Sequence, residues 1–141
     1  MRRVVVAGVL AAVLVVLQAT MVSADVLVEI DRSSQTMAVT VDGARIYMWP
    51  VSTGRSGWGT PRGVFHPQFM AARWYSRIFN NAPMLHSIVY SGPFAIHGTT
   101  DVGRLGRPAS HGCIRLHPNE AAVLFDLVQR QGMRNTTIVI E

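Results

Sequence analysis

The sequence contains no lysine and a single cysteine, and each scarcity excludes a class of protein. All 13 basic residues are scattered arginines, without the stripe of basic and aromatic residues that marks a nucleic-acid surface. The lone Cys113 cannot form an intramolecular disulfide, so this is no disulfide-stapled domain. Charged residues make up 15% of the chain and hydrophobic residues 49%, which favours a packed core over disorder. Without repeats or linkers, 141 residues predict one domain.

The first 24 residues have the layout of a secretory signal peptide. Arg2 and Arg3 precede an apolar run of 14 residues, 4–17, and small residues follow at 22–24. The run is shorter than the roughly 20 residues that cross a bilayer, so we favour a cleaved signal over an uncleaved anchor. Cleavage after Ala24 leaves 141 − 24 = 117 residues, 25–141, with a net charge of 11 − 8 = +3 and no stable membrane span. Both alternatives predict a domain in the periplasm or cell wall.

The remaining sequence predicts mostly short strands. Alternating apolar and polar residues and the hairpin signal Asp42-Gly43 indicate extended structure early in the chain. Segments rich in glycine, proline and small polar residues at 52–63 and 98–110 predict loops. We expect six strands, at residues 26–31, 36–41, 44–51, 84–90, 94–97 and 136–140.

One helix is predicted near the C-terminus. Pro118 suits the first helical position, Glu120 lies in the first turn, and Gly132 is a natural stop. An apolar face recurs between them at helical spacing, formed by Ala121, Leu124, Phe125 and Val128. The predicted fold is therefore mainly β, a sandwich or small barrel with one clear helix.

The segment 96–116 carries the chemistry. A cysteine nucleophile needs a base, a group that orients the base, and donors for the developing oxyanion. His97 ends a predicted strand and is the candidate base for Cys113, with His111 in support. Gly112 allows an unusual backbone conformation beside the nucleophile. Arg115, two residues beyond Cys113, is a candidate for holding a substrate carboxylate.

Two other interpretations of these residues remain open on chemistry alone. His97, His111, Cys113 and His117 are four ligands that zinc accepts, although no CxxC or HxxxH pair accompanies them. His117 also precedes Pro118, where it would cap the helix. A buried, inert cysteine is the second interpretation.

Residues 110–116, Ser-His-Gly-Cys-Ile-Arg-Leu, together with 96–99, Ile-His-Gly-Thr, resemble the signature of the L,D-transpeptidase catalytic domain family, also called YkuD-like. Residues 51–54, 60–65 and 82–84 resemble earlier segments of the same family. The likeness spans nearly all of residues 26–140.

This resemblance implies a β-sandwich enzyme without metal or organic cofactor. Carried over residue by residue, it makes Cys113 the nucleophile and His97 the general base. The carbonyl of Gly98 would orient the base, and His111 would be the second histidine of the signature. Within residues 25–141 we expect no wall-binding module of the kind that many relatives carry.

The resemblance also implies the substrate, the peptide stems of peptidoglycan, and acylation of Cys113 by carbapenems. Arg115, Ser110 and Tyr90 are the candidate substrate contacts, with core packing as the alternative for Tyr90. The acceptor stays open: a stem amine would give a cross-link, water a carboxypeptidase, and a wall-anchored protein a protein-to-wall transferase. A wall-binding or zinc-binding module without catalysis is the remaining alternative.

Overall fold

A computed structural model describes residues 24–141; the predicted signal peptide lies almost wholly outside them. The described residues form nine strands, one α-helix and two short 3-10 helices at Val102–Arg104 and Met133–Asn135. The strands and the helix are β1 Val26–Asp31, β2 Thr36–Val41, β3 Ala44–Pro50, β4 Gly63–Phe65, β5 Phe69–Ala71, β6 Leu85–Ser91, β7 Phe94–Gly98, β8 Ile114–Leu116, α1 Pro118–Gln131 and β9 Thr136–Ile140.

The first sheet has five strands in the order β3-β2-β1-β9-β4. Asp42 and Gly43 both have positive φ, 47° and 79°, which is the two-residue turn that the right-handed twist of a hairpin favours. Strand β9 returns from the far end of the chain to pair in parallel with β1. Alternate residues of β1 and β9 are buried on one face of this sheet.

The second sheet has four strands in the order β5-β6-β7-β8. Strands β6 and β7 form an antiparallel pair, and β8 lies parallel to β7. Helix α1 packs on β6 and β7 through its buried residues Ala121, Leu124, Leu127 and Val128. Side chains of both sheets and of the helix join in one apolar core, so the protein is a β-sandwich with one long helix near the C-terminus, as predicted.

The structure confirms β1, β2, α1 and β9 at the predicted bounds, and β3, β6 and β7 to within one residue. The sequence missed β4, β5 and β8, each only three residues long. Three residues are too few to show a period of two. Among the described residues no helix is both long and apolar enough to span a membrane.

Candidate active site

The parallel pairing of β7 with β8 places the side chains of His97 and Arg115 on the same face of the second sheet. In its register Ile96 lies beside Ile114 and His97 beside Arg115. The two isoleucines are buried in the core. Because successive side chains of a strand point to opposite faces, His97 and Arg115 both point away from that core. Cys113 immediately precedes β8 and lies close to them.

A tight turn holds the backbone on either side of Cys113. Ser110 Oγ accepts a hydrogen bond from the N–H of Gly112 at 3.0 Å and donates one to the carbonyl of Cys113. Thr60 Oγ1 donates to the Gly112 carbonyl at 2.8 Å. Gly112 has a φ of 119°, and a Cβ there would lie 2.6 Å from the Phe94 ring. Glycine is therefore required by conformation and by space.

The Cys113 thiol is half-buried, and its Sγ lies 3.6 Å from the carbonyl oxygen of Pro93. Burial raises the pKa of this thiol above its ordinary value; a hydrogen bond from the backbone of Ala95 and the charge of Arg115 oppose that rise without cancelling it. The resting nucleophile is thus a protonated thiol that requires a base.

His97 has the properties of that base. Its side chain is buried, and Nδ1 lies 2.8 Å from the carbonyl oxygen of Gly98. A carbonyl only accepts, so Nδ1 carries the proton and Nε2 is left with the free lone pair. Burial lowers the pKa of His97 to about 4, and the charge of Arg115 adds to that shift against the opposing Gly98 hydrogen bond. The imidazole is neutral at pH 7.

Cys113 and His97 open into one groove with a cavity volume of about 320 Å³. The chain segment 72–84, between β5 and β6, supplies one wall, and the 98–113 segment with the ends of β7 and β8 supplies the other. The first wall consists of Ser76, Phe79, Ala82, Pro83 and Met84, and the second of His97, Thr99, Thr100, Asp101, Arg104, Ser110, His111, Cys113 and Arg115.

His111 lies in an aromatic cluster, defined here as Trp58, Phe79 and His111. Its ring stacks on Phe79 with centroids 4.3 Å apart and meets Trp58 edge-on at 4.9 Å. Partial burial lowers the pKa of His111, with the positive charges of Arg55 and Arg115 as further causes. The second signature histidine therefore joins both walls of the groove through ring contacts.

The structure corrects the assignment of Tyr90 as a substrate contact. Tyr90 is only 1% exposed and belongs to the core, where its ring packs on Phe65 at 5.1 Å. It does not line the groove. Burial raises the pKa of Tyr90, so the phenol stays neutral in the core. Packing was the alternative interpretation of this residue.

The four potential zinc ligands do not converge. His117 caps helix α1 by accepting from the N–H of Asn119 at 3.1 Å, while His111 lies in the aromatic cluster. Within residues 24–141, no three His, Cys, Asp or Glu side chains are grouped as metal ligands.

Sequence analysis missed residues in the two predicted loops that build the site. Ser52 exchanges backbone hydrogen bonds with Arg115 at 2.8 and 3.1 Å. Thr60 stabilises the turn before Cys113 through its hydrogen bond to the Gly112 carbonyl. The 3-10 helix Val102–Arg104 brings Asp101 and Arg104 to the groove. The only available signal was the family likeness of residues 51–54 and 60–65.

Comparisons with known proteins agree with this architecture. The family model of the L,D-transpeptidase catalytic domain matches residues 25–140. No curated protein matches the sequence significantly.

Solved structures match at the level of the fold. An L,D-transpeptidase from Mycobacterium smegmatis is 26% identical with a TM-score of 0.74, over 84% of this chain and 59% of that one. One from Xylanimonas cellulosilytica is 23% identical with a TM-score of 0.73, over 86% and 63%. L,D-transpeptidase 3 from Mycobacterium tuberculosis, in complex with a faropenem-derived adduct, is 16% identical with a TM-score of 0.72, over 84% and 60%.

This chain spans about three fifths of the length of those proteins. The match to the family model nonetheless covers almost all the described residues. The chain belongs to the L,D-transpeptidase catalytic domain family.

Proposed function

We propose that this protein is an L,D-transpeptidase that acts on peptidoglycan stem peptides through a thioester at Cys113. The observation that carries the proposal is the pairing of Cys113 and His97 in one groove, with His97 Nδ1 fixed by the Gly98 carbonyl at 2.8 Å. Because Nδ1 is engaged by this hydrogen bond, Nε2 is the nitrogen of His97 that is available as the base. Thiol, base and orienting group are the three parts of an acyl-transfer site.

Acylation starts from a neutral pair. Because burial raises the pKa of Cys113 and lowers that of His97, a thiolate–imidazolium pair is disfavoured in the empty groove. The proton therefore moves as Sγ attacks the carbonyl between diaminopimelate and D-Ala. His97 then gives this proton to the departing D-Ala amine. The C–N bond breaks, and a thioester to Cys113 remains.

The oxyanion of this step needs backbone donors near Cys113. The Gly112 N–H already donates to Ser110 Oγ, so it is not available to the oxyanion. The N–H of Cys113 itself is the donor that we assign to the oxyanion. Ser110 thus acts as a positioning residue for the turn.

Deacylation transfers the stem to an acceptor. His97 removes a proton from an amine of a neighbouring stem, the amine attacks the thioester, and the thiol of Cys113 is regenerated with a new amide cross-link. Water would release a shortened stem, and an amine of a wall-anchored protein would attach that protein to the wall. We place the reaction outside the cytoplasm, in the periplasm or cell wall, on the strength of the signal-peptide pattern.

Intact-mass spectrometry tests the proposal. The protein is incubated with a carbapenem and, separately, with stem tetrapeptides. Because Cys113 is the only cysteine, a covalent adduct absent from Cys113→Ala locates the thioester. Release of D-Ala should vanish in both Cys113→Ala and His97→Ala, while Arg115→Ala should weaken substrate use.

The masses of the products identify the acceptor. A stem amine gives a cross-linked dimer, water gives a tripeptide, and a protein amine gives a protein conjugate, and these three products differ in mass. Folded, reduced protein that forms no adduct and releases no D-Ala would rule out the acyl-enzyme route. Full activity of Cys113→Ala would also rule it out.

A further inference from the structure

A cluster of charged residues lies at the Arg115 end of the groove. Asp101 Oδ2 lies 2.5 Å from Arg104 Nη2 and 3.7 Å from Arg115 Nη1. All three residues line the groove together with Cys113. Asp101 and Arg104 come from the 98–110 segment and Arg115 from β8, so the fold brings this cluster together from two separate elements.

Positive charge exceeds negative charge in this cluster. Burial lowers the pKa of Arg115; the nearby carboxylate of Asp101 opposes that shift, and the positive charge of Arg104 adds to it. With His97 neutral and Cys113 protonated, the two guanidinium groups of Arg104 and Arg115 face the single carboxylate of Asp101. The Arg115 side chain is 19% exposed, whereas those of Asp101 and Arg104 are 35% and 52% exposed, so solvent screens the charge of Arg115 less than that of Arg104. An anionic group entering the groove is therefore attracted to this end.

Within residues 24–141, the Asp101 carboxylate is held by the two arginines and not by the backbone of its own loop. Asp101 occupies the position before the 3-10 helix Val102–Arg104, yet its side chain makes no capping hydrogen bond. The loop is held instead by the backbone N–H of Asp101, which donates to Thr99 Oγ1 at 3.0 Å. The carboxylate can therefore leave the two arginines while the backbone remains in place.

Arg115 retains donors for a second carboxylate. Within residues 24–141, the polar contacts of its side chain, to the Ala109 carbonyl at 3.5 Å and to Asp101 at 3.7 Å, both use Nη1. A planar guanidinium binds a carboxylate best through two parallel N–H groups. The long Nη1–Asp101 distance shows that Asp101 does not make this bidentate contact in the empty groove.

We propose that Arg104 and Arg115 form a specificity subsite for a carboxylate of the donor stem, which Asp101 occupies in the free protein and yields to substrate. The inference rests on the proposed function and extends it from Arg115 to Arg104 and Asp101. Two residues of extended chain separate Arg115 from Cys113 by roughly 7 Å. That reach fits a carboxylate one residue from the scissile bond, either the free side-chain carboxyl of diaminopimelate or the terminal carboxyl of D-Ala.

Binding measurements without turnover test the subsite. Calorimetric titration of Cys113→Ala uses three tetrapeptides: unmodified, amidated at the diaminopimelate side-chain carboxyl, and amidated at the D-Ala terminus. We expect one amidation to weaken binding about tenfold, because a charge-assisted hydrogen-bond pair is lost. The peptide that is weakened identifies which carboxylate binds.

Two further substitutions in the same background predict opposite effects. Arg104→Gln should remove the preference for the unmodified peptide and leave binding of the affected amide unchanged. Asp101→Asn should strengthen binding of the unmodified peptide several-fold, because the competing carboxylate is gone. Arg107→Gln, an exposed arginine of the same segment that does not line the groove, is the matched control and should keep the preference.

The proposal is overturned if no tetrapeptide binds, if neither amidation weakens binding, if Arg104→Gln weakens all three peptides equally, or if Asp101→Asn weakens the unmodified one. An equal loss, with alkylation of Cys113 by iodoacetamide shifted to higher pH when Arg104→Gln is made in protein that retains Cys113, would mean that Arg104 stabilises the thiolate instead. Release of D-Ala by the unsubstituted protein is scored separately. Carboxylate preference without release contradicts the proposed function alone, and release without preference contradicts the subsite alone.

Discussion

The buried neutral imidazole of His97 makes the stability of this protein depend on pH in a calculable way. Folding lowers the pKa of His97 from 6.5 to about 4, chiefly through burial. In the unfolded chain the ring takes up a proton near pH 6.5, and in the folded chain only near pH 4. The unfolded state therefore binds more protons between these values, so stability falls as pH falls across that window. Below about pH 4 the contribution is fully lost.

The size of this effect follows from the two pKa values. A change from 6.5 to about 4 corresponds to about 3 kcal/mol of unfolding free energy. His111 contributes in the same direction, since its pKa is also lowered. The Asp31 carboxyl, whose pKa its hydrogen bonds with Ser33 and Ser34 lower from 3.8 to about 2, acts only at lower pH. A comparison between wild type and a His97 variant isolates the His97 part.

The assay is urea unfolding at pH 7.0 and at pH 4.5, with wild type and His97→Gln measured side by side. Glutamine keeps a donor for the Gly98 carbonyl and does not titrate. We expect wild type to lose about 2 to 3 kcal/mol more than His97→Gln between these pH values. His66→Gln, outside the groove, leaves His97 in place and should keep the wild-type difference. Equal losses in wild type and His97→Gln would refute the buried neutral imidazole.

Three further predictions concern the loops around the groove. Gly54→Ala would place a Cβ 1.6 Å from the backbone oxygen of Trp58, so urea unfolding should show a free energy of unfolding lower by at least about 2 kcal/mol. Gly59→Ala, with open space around it, is the control and should change that free energy by less than about 0.5 kcal/mol. Similar decreases for the two variants would contradict the clash. Ser110→Ala leaves a buried N–H without its acceptor and should cost about 1 to 3 kcal/mol and slow carbapenem acylation, while unchanged acylation would contradict a positioning role. Trp58→Ala removes two ring contacts of the aromatic cluster, so trypsin should cleave faster at the exposed Arg77 of the facing wall, and an unchanged rate would show that the cluster does not restrain that wall.

The sequence by itself determined the elements whose signal is local. Strands β1, β2 and β9 show alternation over five or six residues, and Pro118 and Gly132 mark the two ends of α1. The catalytic candidates were also predictable, because Cys113 is the only thiol and His97 ends a recognisable strand. The hairpin at Asp42-Gly43 followed from the positive φ values that these two residues tolerate.

The tertiary structure alone decided which residues surround that pair. Thr60 lies 52 residues before the Gly112 carbonyl that it binds, and no local pattern encodes a contact between two loops so far apart in sequence. Tyr90 is an aromatic residue of the kind that often lines a substrate groove. Its position in β6 and its packing against Phe65 nevertheless place it in the core. Asp101 and Arg104 come near Arg115 through the path of the 98–110 segment, whose Ala109 carbonyl also contacts the Arg115 side chain. Local periodicity specifies a strand, whereas the neighbours of a loop residue depend on how both sheets bury their apolar faces in one core.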